Sequence, residues 1–191
     1  MPATVNVEEG NGSPAVWTAI TTTRYCTADQ YNPGLNYPCV VPGSGYNYSY
    51  WKHFRIAFSG SFTKISNIRW YTTGDIKSSW NLGTGGMLMV ALRDSGDHGC
   101  PTASYAQATG QLGETGHYFK DSTNGHPYYK NQTAGPADAD QYTSSNPLLV
   151  DSTEYTSAGA SKSVVSQVRL AADAVQGEKP NKTFTFRYDE I

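Results

Sequence analysis

The sequence predicts an all-β chain, an antiparallel β-sandwich of jelly-roll type with long polar loops, and three observations carry that prediction. Charged residues make up only 16% of the chain while aromatics reach 13%, with 14 tyrosines among 191 residues. Aromatic and β-branched side chains fit a half-buried pleat. Gly and Pro recur at roughly ten- to fifteen-residue intervals, the turn spacing of a sandwich or barrel. Several segments also alternate apolar and polar residues with period two, as strands with one face on a core do. The low charge does not signal disorder, which combines few apolar groups with high net charge; here hydrophobic residues make up 38% and the net charge is −2.

Residues 1–14 end in Glu9-Gly10-Asn11-Gly12-Ser13-Pro14 and read as a flexible N-terminal arm, leaving 15–191 as one sandwich domain. Ala15 to Tyr25 is rich in Thr and β-branched residues and reads as a strand. Residues 26–47 hold Pro33, Pro38, Pro42 and several glycines, so they form a long loop, and loops of this length usually serve a function. From Tyr48 to Phe58 the residues Tyr48, Tyr50, Phe54, Ile56 and Phe58 share one parity, which puts them on a core face and His53 and Arg55 outside. Lys64 to Thr72 is a second strand, with Ile68 and Trp70 on one side and Arg69 and Tyr71 on the other. Met87 to Leu92 is continuously apolar and fits a strand buried on both faces.

Residues 93–146 are rich in Gly, Asp, Ser, Asn and Tyr and read as long loops with short strands around Tyr105 and Tyr118-Phe119. Pro147-Leu148-Leu149-Val150 opens another short apolar element. Lys162 to Val175 fits two patterns. Val164, Val168 and Leu170 alternate as in a strand, whereas Val164, Val165, Val168, Ala171, Ala172 and Val175 follow a helical stripe that Ser161 would cap and Gly177 end. The β-branched cluster favours the strand. Thr183 to Glu190 alternates Phe184, Phe186 and Tyr188 with Thr185, Arg187 and Asp189 as a closing strand.

Several function classes are disfavoured. Nucleic-acid binding needs a basic face, but Lys and Arg are scattered with no run of three. No apolar stretch approaches the ~18 residues needed to span a membrane. The N-terminus lacks the basic and apolar regions of a signal peptide, so synthesis in a cytoplasm is expected. Cys26, Cys39 and Cys100 fit no zinc spacing. Cys26 and Cys39 flank the Pro-rich loop and could pair under oxidising conditions, but reduced thiols are the expectation for a cytoplasmic product. The Asn-x-Ser/Thr triplets at Asn11, Asn47, Asn131 and Asn181 are expected in a chain so rich in these residues.

Few residue groups suggest chemistry. Asp94, Asp97 and His98, within Asp94-Ser95-Gly96-Asp97-His98-Gly99-Cys100, are candidates for holding a divalent ion. Their spacing matches neither an EF-hand nor a zinc motif, and the same residue types build turns. His117 and His126 could join Asp121 or Asp97 in acid–base work, but no nucleophile motif such as Gly-x-Ser-x-Gly accompanies them. Gly83-x-Gly85-Gly86 lacks the Lys and hydroxyl of a phosphate loop. No catalytic residue, no confident metal site and no cofactor is expected. The remaining candidates are aromatic: Tyr46 beside Tyr48, Tyr50 and Trp51, and the pair Tyr128-Tyr129, which could meet a protein partner or stack on a sugar.

One resemblance bears on function. Ser163-Val164-Val165-Ser166-Gln167-Val168-Arg169-Leu170, Ala174-Val175-Gln176-Gly177 and Thr183-Phe184-Thr185-Phe186-Arg187-Tyr188-Asp189-Glu190 resemble the ending of some tailed-phage virion proteins. Ile65-Ser66-Asn67-Ile68-Arg69-Trp70, followed by a Gly-rich turn, is similar to another of their strands. Together these cover about a third of the chain. The resemblance implies a non-enzymatic β-sandwich of the particle, a capsid decoration or head–tail accessory protein made in the host cytoplasm. It would bind major capsid or neck proteins as a homo-oligomer or within a symmetric assembly, and no catalytic residues carry over. The alternative is a carbohydrate- or receptor-binding module using loop tyrosines.

Overall fold

A computed structural model of the chain describes residues 2–12, 15–93 and 137–191. These residues are all-β and antiparallel. The strands are β1 (Thr4–Asn11), β2 (Val16–Ala19), β3 (Tyr46–Tyr48), β4 (Lys52–Ser59), β5 (Ile65–Tyr71), β6 (Met87–Arg93), β7 (Ala137–Asp138), β8 (Leu148–Asp151), β9 (Gly159–Ala160), β10 (Ser163–Ala171) and β11 (Thr185–Glu190). A single helical turn, α1 (Ile76–Ser79), follows β5, and a 3-10 turn spans Ala139–Gln141. The strands divide into an eight-stranded sheet ordered β2-β1-β4-β10-β6-β7, with β3 on β10 and β9 on β4, and a three-stranded sheet ordered β11-β5-β8.

The two sheets face each other across one apolar layer. Ile56 and Phe58 of β4, Leu88 and Val90 of β6, and Val164, Val168 and Leu170 of β10 point into it from the large sheet. Ile65, Ile68, Trp70 and Val150 meet them from the small sheet. Alternation along β5 explains why Ile68 and Trp70 are buried while Arg69 and Tyr71 are only half-buried. The outer face of the large sheet carries a second cluster, with Met89, Ala91 and Val165 under Tyr48 and Trp51. Strand β6 is therefore apolar at successive positions because both of its faces are covered.

The segment at 162–175 is strand β10 over Ser163–Ala171. It pairs with β6 from Ser163↔Arg93 to Arg169↔Met87 on one side, and with β4 and β3 on the other. β-branched residues in the centre of a sheet pack against neighbours on both sides, which decides the strand over the helix. The strand expected from 48 to 58 is broken: Tyr48 ends β3, β4 starts at Lys52, and Tyr48 and Tyr50 join the outer cluster rather than the core face of Ile56 and Phe58. Between β3 and β4 the chain bulges at Ser49, whose N–H donates to Val168 O and whose hydroxyl accepts from Val168 N–H.

Three more sequence expectations are corrected. Of the arm expected at 1–14, Thr4–Asn11 is instead a strand that pairs along β4 from Thr4↔Ser59 to Gly10↔His53. Val5 and Val7 pack on the core, so the short period-two pattern Val-Asn-Val was the signal. The strand read over 15–25 is confined to Val16–Ala19, paired with β1. Beyond it, residues 20–45 contain no strand; the loop read over 26–47 ends two residues early, because Tyr46 and Asn47 pair with Ala171 and Leu170 in β3.

Two structural devices carry testable weight. In the Gly83-x-Gly85-Gly86 turn, a Cβ on Gly86 would lie 1.9 Å from Leu82 O, a backbone atom that cannot swing aside. Asp151 is 2% exposed and accepts from Lys162 N–H, Thr153 N–H and the Tyr155 hydroxyl. Burial alone pushes its carboxyl up, but these donors outweigh burial and hold it below the usual carboxylate range.

Gly86→Ala should therefore destabilise the chain by about 1–3 kcal/mol, read as a lowered denaturation midpoint. Asp151→Ala leaves buried donors unmet and should cost about 1–3 kcal/mol. Because the folded carboxyl titrates below its unfolded value, its contribution is complete above the ordinary Asp value of about 4 and is lost as pH falls through the lower folded value. Unfolding measured between those limits should show a pH slope that flattens in Asp151→Asn.

Candidate functional site

The inner face of the large sheet runs out, at its β1–β4 end, into a buried polar centre. Glu9 and Lys52 lie on the same face as Val5, Val7, Ile56 and Phe58, as strand parity requires. Both side chains are removed from water, and Lys52 Nζ donates to Glu9 Oε1 at 2.5 Å. Lys52 Nζ also donates to Gln30 O at 2.7 Å. Glu9 accepts further from Thr23 Oγ1 through Oε2, at 2.6 Å, and from Asn11 Nδ2 through Oε1, at 3.3 Å. Asn11 Nδ2 donates as well to Asp29 Oδ1, and Gly12 N–H donates to Asp29 Oδ2. A charge in this environment survives because partners replace water.

Next to the centre, the Tyr25 hydroxyl and Ser166 Oγ share a 2.7 Å hydrogen bond. Burial pushes the Tyr25 phenol far up, the Ser166 bond opposes this, and the Glu9 charge adds to the rise, so Tyr25 stays neutral. The Tyr25 ring packs edge-on against Trp80 and Phe184, which ties the loop to α1 and to the chain entering β11.

The opposite face of the same strands carries a ladder of rings and charges. Gly10 pairs with Trp17 on one side and His53 on the other. With no side chain between them, the two rings approach to 4.7 Å, and a Cβ on Gly10 would lie 2.3 Å from His53 Nε2. Arg55 lies 3.9 Å over the Trp17 ring and donates from Nε to Glu8 Oε2. His53 thus faces outward as its parity predicts, but it is buried at 2% exposure because β2 brings Trp17 over it.

Residues 20–45 lie beyond the polar centre and present a different surface. Leu35 is 76% exposed, Val40 62%, Tyr37 50% and Tyr31 45%. Between Arg24 and Lys52 the only charged side chain is Asp29, and it is turned toward Asn11 and Gly12. The loop is nonetheless held. Thr27 N–H donates to Tyr37 O, Asn36 N–H to Pro33 O, and Asn47 Nδ2 to Val40 O, while Pro33 and Pro42 are buried. Tyr37 sits at φ 54°, an uncommon backbone region for a bulky residue.

Of the residues singled out by sequence, Tyr46 is half-buried, with Arg169 4.6 Å over its ring and its hydroxyl against Gly85. Arg169 donates from Nε to Gly85 O, so the glycine motif is a structural turn. Asp94, Asp97, His98, Cys100, His117, Asp121, His126, Tyr128, Tyr129 and Asn131 lie outside the described residues. Cys26 and Cys39 are free thiols, and burial, with Cys26 next in effect, pushes the Cys39 thiol up to about 12. No group of three metal-ligating side chains occurs among the described residues. A concavity of about 660 Å³ between Phe62 and Ile191 is lined by a single ionisable side chain, Glu190.

Sequence reasoning missed Glu9 and Lys52. The available signal was Lys52 sharing the parity of Phe54, Ile56 and Phe58: a lysine on a core face needs a buried partner. Removing one partner of such a pair costs about 3–5 kcal/mol, while replacing both with apolar groups is often nearly neutral. Glu9→Leu and Lys52→Met should each destabilise by that order, and the double variant by clearly less than their sum, in urea unfolding of all four proteins. Comparison with protein-family models, curated protein sequences and solved structures gives no match.

Proposed function

We propose that this chain is a non-enzymatic structural protein of a phage particle, a decoration, cement or neck accessory that grips a major capsid or neck protein through residues 20–45. The single observation that carries the proposal is the held but exposed apolar surface of that loop, formed by Tyr31, Leu35, Tyr37 and Val40. Scattered exposed apolar residues are ordinary, whereas several on one segment favour an interaction surface. Tyr supplies large contact area with a polar end, and charged groups are depleted at interface centres, which matches a segment whose one carboxylate is turned away. Anchoring by Gln30 O, Thr27 and two buried prolines reduces the ordering cost of binding. Backbone strain at Tyr37 is of the kind that persists at ligand-gripping positions.

The virion setting draws support from the resemblance of β5, β10 and β11 to strands of tailed-phage virion proteins. A particle repeats each contact by symmetry, so a modest loop surface suffices for attachment. The second reading, a carbohydrate- or receptor-binding module, is favoured only by the exposure of Tyr31 and Tyr37, since tyrosine rings also stack on sugars.

Purified chain should co-sediment with particles assembled without it. Leu35→Asp should weaken that attachment at least about tenfold, the loss of a modest interface anchor, without shifting the unfolding midpoint. Wild-type chain that remains in the supernatant would overturn the proposal. Retention on a glycan array, lost in Tyr37→Ala, would transfer the loop to the second reading.

A further inference from the structure

We propose that Lys52 and Asn11 form an intramolecular amide, with Glu9 shuttling the protons, so that β1 and β4 become covalently joined. The placement comes from strand register. One step beyond the pair Gly10↔His53, the last residue of β1 stands opposite the first residue of β4, which sets Asn11 against Lys52. Directly opposed residues in an antiparallel pair lie on the same face with their Cβ atoms about 5 Å apart. Glu9, two residues along β1, shares that face.

The hydrogen bonds then organise three reacting groups around one atom. Lys52 Nζ and Asn11 Nδ2 both donate to Glu9 Oε1, at 2.5 Å and 3.3 Å. The nucleophile and the leaving group therefore share one proton carrier. Asn11 is bonded through its nitrogen alone: its Oδ1 is buried and meets no hydrogen-bond donor among the described residues. The nearest rival nucleophile, the N–H of Gly12, is occupied by Asp29 Oδ2 at 2.7 Å. Glu9 and Lys52 are sealed from water at 0% and 1% exposure, which disfavours hydrolysis of the amide.

The step balances without a co-reactant. The Lys52 ammonium passes one proton to Glu9, and the neutral amine adds its electron pair to Asn11 Cγ. A second proton moves from Nζ, through the same carboxyl, to Nδ2. The Cγ–Nδ2 bond breaks, the Nζ–Cγ amide remains and ammonia departs. Nothing is oxidised or reduced. The product holds a neutral amide and a neutral Glu9 carboxylic acid where the reactants held two buried charges, and removing such charges lowers the desolvation cost of the folded state. The link would fix the strand on which β2 and the loop anchors depend, a gain for a protein under load in an assembly. The chemistry stands apart from the proposed partner, and its test does not use particles.

Intact mass spectrometry of the purified full chain decides the matter. Wild-type should run about 17 Da below the mass of its sequence, the ammonia lost when a lysine amine displaces it. Lys52→Arg, which keeps the cation but not the nucleophile, and Asn11→Ala should each match the mass of their own sequence. Proteolysis of wild-type should release the Asn11 and Lys52 peptides as one branched species, and Glu9→Gln should slow or abolish its appearance. A wild-type mass equal to the sequence would overturn the proposal. So would a 17 Da deficit traced to a cyclised Asn11-Gly12 with Lys52 free.

Discussion

The contact between Lys52 and Glu9 ties the chain between β2 and β3 to the paired strands β1 and β4. The three-stranded sheet is too narrow to cover the inner face of the eight-stranded one, so the chain between β2 and β3 must close the remaining end. That segment is poor in aliphatic residues and cannot be held by apolar burial alone. It is held also by Lys52 Nζ, which reaches from β4 to Gln30 O, by Glu9 on β1, which takes the Thr23 hydroxyl, and by Tyr25 against Trp80 and Phe184. A buried charge without its partner would cost several kcal/mol, which makes each anchor conditional on the others.

The same strands show how one face can serve packing and the other polar closure. Going along β1, Val5 and Val7 contribute to the inter-sheet core and Glu9 ends it, while Gly10 on the reverse face lets Trp17 and His53 meet. Strand β2, which is short and at the sheet edge, is thereby fastened by an aromatic contact and by Arg55 over Trp17 rather than by length. A few polar anchors thus set the position of a loop that exposes Tyr31, Leu35, Tyr37 and Val40, side chains suited to a partner more than to solvent. The proposed role in a particle and the proposed covalent tie are separate claims, but both make mechanical sense of a centre built where the sandwich would otherwise open.

How much of this was legible in the sequence varied with the range of the interactions involved. β4, β5, β6 and β11 announced themselves because period-two alternation is a local signal, visible in a handful of residues. Strand β10 was ambiguous: its Val-Val-Ser-Gln-Val pattern suits a helix stripe as well, and only the flanking strands β4 and β6 decide between them. The arm at 1–14 was misread because Glu8, Glu9, Gly10 and Asn11 look like solvent-exposed linker, and their burial depends on β4, far along the chain. Tyr46 looked like a contact residue, yet Arg169 and Gly85, both distant in sequence, occupy it.

By itself the sequence determined the all-β class, most strand positions, the long loop after β2 and the low charge of that loop. These follow from side-chain shape, alternation and composition, which act over neighbouring residues. Only the tertiary structure decided that Asn11, Glu9 and Lys52 share one face at the end of a core, that His53 is covered by Trp17, and that Asp29 turns toward Asn11 and Gly12. Those outcomes depend on the register between strands separated by tens of residues, and a one-residue slip in that register would have sent every one of these side chains to the opposite face.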